Sequence, residues 1–68
     1  MCLGLPGRVV SWQTTDRVAG VEIAGVVRNI DMGMLEGPFM PDEYVLVHSG
    51  IALERISAER AAELAGLY

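Results

Sequence analysis

The sequence predicts a mainly β domain: a small OB-like five-stranded barrel closed by a C-terminal α-helix. Three observations predict it. Eight glycines are spread as punctuation between short apolar runs. Several of those runs alternate in the two-residue period of a strand. After Ser57 the apolar spacing switches to a helical period. The expected organisation is one domain over residues 1–68, with the barrel at about 5–56 and the helix at about 57–67.

Leu5-Pro6-Gly7 makes a rigid entry, because proline fixes φ and pushes the residue before it extended. Residues 8–12 follow as a first strand, and 13–16 are polar and read as a turn. Residues 17–23 form a second strand, with Gly20 marking a bulge or a close backbone approach. Ala24-Gly25 is a tight connection, and 26–31 pair back as a hairpin. Residues 32–42 hold three of the four methionines and read as a long loop. Residues 44–48 give the strongest strand signal. Both of its faces are largely apolar, as for a strand covered on both sides. Ser49-Gly50 breaks it, and 51–56 form a short fifth strand.

Ser57 is placed to cap the helix, since its hydroxyl can accept from an orphan backbone N–H. Glu59 suits the positive helix end. Ala61, Leu64, Ala65 and Tyr68 form one apolar stripe, and Ile56 can staple against Ala61. Gly66 weakens the last turn. So short a helix is marginal alone and must dock.

Composition narrows the function. A chain of 68 residues, 51% hydrophobic and 21% charged, is globular rather than disordered. Its core is small, and scaffolds of this size often lean on a staple or partner. The net charge is −4, and the five arginines are scattered. Without a basic stripe, nucleic acid is a poor partner, because phosphate neutralisation supplies most non-specific affinity. The longest uncharged run, 44–53, is ten residues, against about 20 for a membrane span. No signal-peptide pattern stands at the start. A single cysteine forms no internal disulfide, so a reducing, cytoplasmic setting is expected.

Two residues stand apart. Cys2 is the sole thiol and His48 the sole imidazole. An interior cysteine is usually inert packing, but termini fray, which makes that reading hard at position 2. With Met1 removed, the nearby ammonium would stabilise the thiolate, which is both nucleophile and metal ligand. His48 on a strand face is most simply a hydrogen-bonded structural residue. Its chemical uses are proton acceptor and metal ligand. One Cys and one His cannot complete a four-ligand zinc site, so any metal must be shared or bring ligands of its own. A Cys–His hydrolytic dyad lacks an orienting third residue. Met32, Met34 and Met40 offer soft thioethers, although methionine more simply fills irregular loops and adaptable surfaces.

The opening Met1-Cys2-Leu3-Gly4-Leu5-Pro6-Gly7, with Tyr44-Val45-Leu46-Val47-His48-Ser49-Gly50-Ile51-Ala52, resembles the HypC/HupF family of nickel–iron hydrogenase maturation chaperones. That family opens Met-Cys-x-(Gly/Ala)-(Ile/Leu/Val)-Pro. It carries Tyr-Val-Leu-Val-His-x-Gly-(Phe/Tyr)-Ala after a Pro-Gly-Asp turn. Here Pro41-Asp42-Glu43 stands in place of that turn, and Ile51 in place of the aromatic.

The resemblance implies a chaperone rather than an enzyme. It implies pairing with HypD and then with the hydrogenase large-subunit precursor. Iron would be held transiently as Fe(CN)2CO, shared with HypD. By position Cys2 is the ligand implied, with His48 near the same iron. Leu3, Gly4, Leu5 and Pro6, beside Cys2, would present the thiol to each partner. The competing expectation is a metal-independent protein-interaction barrel, with a Cys2–His48 enzyme as a third.

Overall fold

The computed structural model describes residues 4–13 and 15–65. Five strands and one helix follow in order: β1 (Leu5–Gln13), β2 (Val18–Ile23), β3 (Val26–Asp31), β4 (Tyr44–His48), β5 (Ile51–Ile56) and α1 (Ala58–Leu64). The strands close into a barrel in the order β1-β2-β3-β5-β4. All pairings are antiparallel except β3 with β5, which meet in parallel at Asp31 and Ile51. The Asp31 N–H also donates to Gly50 O at 2.9 Å. The mainly β barrel with a terminal helix is therefore the observed fold.

Two hairpins follow from local turn chemistry. Ala24-Gly25 takes φ of 53° and 83°, and Ser49-Gly50 takes 54° and 81°. Two successive positive φ values match the twist of the flanking strands, as in a type I′ turn. They fix the β2–β3 and β4–β5 registers. Two irregularities bend the strands so that the sheet can close. Val10 is extra in β1, between Val9↔Val21 and Ser11↔Gly20. Leu53 is extra in β5, between Leu46↔Glu54 and Val47↔Ala52. Gly20 thus faces a bulge rather than forming it. A Cβ there would fall 2.6 Å from Ser11 Oγ, so the close approach is also real.

β1 begins earlier than the sequence indicates, at Leu5 rather than residue 8. Leu5, Pro6 and Gly7 pair with Val47, Leu46 and Val45. β2 joins β1 only from Arg8 onward, so β4 alone flanks Leu5 and Pro6. A residue without an N–H is tolerated where a strand is paired on one edge.

The core holds Val9, Val21, Ile30, Val45 and Val47, with Ala19 and Ala52 where strands crowd. The long loop supplies two more members: Met32 and Phe39 are 0% and 3% exposed. Phe39 meets Trp12 edge to face, with centroids 5.0 Å apart. Arg55 ties this loop down. It donates to Glu36 O, Pro38 O and the Glu43 carboxylate, and its guanidinium lies 4.1 Å from the Phe39 ring centroid. Met34 and Met40 remain exposed.

α1 starts as its sequence dictates. Ser57 is extended, and its Oγ accepts from the Arg60 N–H at 3.0 Å. The helix packs on β1 and β4, but only Ala61 is buried. Leu64 and Ala65 stay exposed, so the stripe lines a groove rather than filling the core. The helix closes on its C-cap Ala65. Gly66 and Tyr68 lie outside the described residues.

Candidate functional site

The β1–β4 seam brings together the two sequence segments singled out above. Leu5 is opposite Val47, and Gly4 before it lies against the end of β4. At Gly4 the approach is closest. A Cβ built there would lie 2.7 Å from Val47 O and 3.1 Å from Leu46 Cγ. Glycine is required by contact here, since a side chain would push the N-terminal segment off the strand. Leu46 is only 9% exposed although it lies outside the main core cluster, in keeping with a strand covered on both faces.

His48 is the last residue of β4 and is exposed. It pairs with Ile51 across the Ser49-Gly50 turn. The candidate residues Gly4, Leu5 and Pro6 and the imidazole of His48 therefore share one end of the β1–β4 seam. Cys2 and Leu3 lie outside the described residues. Among the described residues no group of three His, Cys, Asp or Glu side chains is placed to hold a metal. His48 would be one ligand at most, with the others supplied from elsewhere.

Leu5 is 54% exposed and separates two concavities. The first, about 570 Å³, lies between α1 and the barrel, lined by Leu5, Ile23, Tyr44, Ala61, Leu64 and Ala65 among others. At its edge Arg8 donates to Glu22 and Asp42, both at 2.8 Å. The hydrogen bond it donates to Glu22, then that to Asp42, pushes the arginine pKa above its usual value. The second, about 560 Å³, opens at the barrel mouth, lined by Leu5, Ile23, Val27, Arg28, Val47 and Ser49 among others.

The HupF/HypC family matches residues 1–68. The chain belongs to that family. HupF/HypC proteins are hydrogenase maturation chaperones, not enzymes. HypC of Cupriavidus necator is 34% identical over the whole chain and 73% of its own length. HybG of Escherichia coli is 32% identical, covering 90% of this chain and 79% of its own. The "Frd operon uncharacterized protein C" of Proteus vulgaris is 36% identical, covering 93% and 70%.

One departure from the HupF/HypC pattern has a structural counterpart. Asp42, where the pattern quoted above has glycine, takes φ of 75°. Left-handed backbone is least costly for glycine, and Asp and Asn follow. Asp42 N–H donates to Val9 O, and its carboxylate meets Arg8. Next to it, Glu43 Oε2 accepts from the Met40 N–H at 2.7 Å. That bond, helped by Arg55, holds the Glu43 carboxyl below its ordinary range, against a smaller opposing effect of burial.

Proposed function

We propose that this chain is a hydrogenase maturation chaperone that binds HypD and the hydrogenase large-subunit precursor. Between them it carries, or helps assemble, an Fe(CN)2CO centre through Cys2. The iron complex is cargo, not a resident cofactor. The observation that supports this reading is the seam register. It sets the cysteine-bearing N-terminal segment beside the strand that ends in His48.

Chemistry favours the same reading. One thiolate and one imidazole are too few to retain a metal ion by themselves. They suit an iron whose other positions are filled by diatomic ligands and a partner's thiolate. A carrier must also release what it holds, so a small ligand set is an advantage. His48 is placed to ligate the iron or to orient the Cys2 thiol. Gly4, Leu5 and Pro6, with Leu3, would present that thiol to each partner in turn. No helix of the described residues is long and apolar enough to cross a membrane.

The test is infrared spectroscopy on the anaerobically purified chain, co-expressed with HypD and the cyanide-synthesis proteins. Cyanide and carbon monoxide stretches absorb where proteins do not. Bands are expected in the wild type and not in Cys2→Ala. Bands in neither protein, with the HypD complex intact, would leave a metal-independent interaction barrel.

A further inference from the structure

We propose that Ile51 is the apolar wall of the cargo site. Its side chain lies against the diatomic ligands of the iron complex held through Cys2, and keeps water and hydrogen-bond donors away from them. The proposal rests on the chaperone reading and deepens it by naming a residue that contacts the cargo without ligating it.

Strand pairing sets Ile51 next to the imidazole. His48 and Ile51 are directly opposite each other across the Ser49-Gly50 turn. Residues so paired share a face, with Cβ atoms about 4.5–5.5 Å apart. On its other edge Ile51 pairs with Asp31. His48, Ile51 and Asp31 thus form one row across β4, β5 and β3. All three are exposed, whereas Val47, Ala52 and Ile30, one residue along each strand, are buried in the core. The row therefore lies on the outer face of the barrel.

The fold itself makes no use of this side chain. Ile51 is 37% exposed, and it belongs neither to the core cluster nor to the lining of either concavity. Its backbone is nevertheless held firmly. Ser49 and Gly50 take the positive φ values that fix the turn, and the Asp31 N–H donates to Gly50 O at 2.9 Å. A β-branched side chain adds stiffness of its own. The result is a rigid hydrocarbon surface in a set position beside His48. Neighbouring apolar residues are placed differently. Leu5 shares the face of Val47, Leu46 is 9% exposed, and Leu53 is the extra residue of the β5 irregularity.

The chemistry of the cargo suits such a surface. The apolar shell around a metal controls the access of water and the local dielectric. An aliphatic side chain offers carbon monoxide and cyanide no hydrogen bond, so it shields them without competing for them. Ile51 also stands between His48 and Asp31, whose Oδ1 accepts from the Gly33 N–H at 2.8 Å. Cyanides and thiolates give the iron complex negative charge, which a nearer carboxylate would repel.

The experiment is infrared spectroscopy on the anaerobic complex of the full chain with HypD, as wild type, Ile51→Val and Ile51→Thr. The two replacements have nearly the same shape, but threonine brings a hydroxyl donor. Ile51→Val should keep the wild-type bands. In Ile51→Thr the carbonyl band should move to lower wavenumber, because a donor at the carbonyl oxygen draws electron density from iron into the C–O antibonding orbital. Thermal melts check the fold of each variant, and affinity capture checks its hold on HypD. Bands of Ile51→Thr at the wild-type positions would overturn the proposal and leave the chaperone reading standing. Unmoved bands with weakened capture would overturn it too, and would make Ile51 a partner contact instead. A wild-type complex without bands would overturn the chaperone reading, and this proposal with it.

Discussion

Arg55 sits over Phe39, its guanidinium carbon 4.1 Å from the ring centroid, and thereby clamps a buried aromatic from outside the barrel. The same guanidinium binds Glu36 O, Pro38 O and Glu43. One side chain thus fixes the long loop at several points. Arg55→Ala should destabilise the fold by about 1–2 kcal/mol, from the lost cation–π contact and the hydrogen bonds. Arg55→Lys should recover less than half, because an ammonium cannot span those acceptors. Urea unfolding at neutral pH measures both.

Glu43 gives the fold a pH dependence of known sign. Its carboxyl is lowered in the folded chain, chiefly by the Met40 N–H and then by Arg55. The unfolded chain therefore binds the proton more tightly. The stabilisation is complete above the ordinary glutamate value of 4.5 and fades as the pH falls through the lower folded value. Denaturation midpoints followed downward in pH should fall. In Glu43→Gln the same limb should be flatter. An equally steep limb in that variant would assign the effect to other carboxylates.

Gly4 tests the seam. Gly4→Val should leave the barrel folded, with a loss of about 1–3 kcal/mol from the clash with Val47 O. It should move the N-terminal segment off β4 and reduce HypD capture more than stability. Circular dichroism paired with capture separates the two effects. Full capture by a folded Gly4→Val chain would remove the close approach from the argument.

Asp42 trades backbone strain against an ion pair. Its left-handed φ costs about 1 kcal/mol relative to glycine, and its solvent-screened pair with Arg8 offsets only part of that. Asp42→Gly should therefore leave stability unchanged or raise it by less than about 1 kcal/mol. Asp42→Ala, with neither advantage, should lose about 1 kcal/mol. Thermal unfolding of the pair of variants decides it.

The local part of this fold was readable from residues alone. The spans 26–31, 44–48 and 51–56 coincide with β3, β4 and β5, and Ser57 caps α1. Their signals are alternation and turn chemistry, which act over a few residues. What escaped notice is non-local. Leu5 to Gly7 read as a rigid entry ahead of the first strand, because proline and glycine hide a strand whose partner lies far along the chain. Met32 and Phe39 lie in a segment without period, so nothing in the sequence marks them as core. Within the candidate site, Cys2 and His48 stood out by rarity and by resemblance. Their segments are brought together by the β1–β4 ladder, which no local pattern encodes.

The β1–β4 ladder joins strands farther apart in sequence than any other pairing of the barrel; β3–β5 skips one strand, and β1–β2, β2–β3 and β4–β5 each join consecutive strands. Distant pairings carry the larger loop-closure cost. The segment behind Cys2 and the strand ending in His48 meet only once that ladder has zipped. Under the proposed carrier role, competence to take cargo is tied to completed folding. In a nascent or partly opened chain Gly4 and Leu5 stand away from β4, so on that reading the site is not yet assembled.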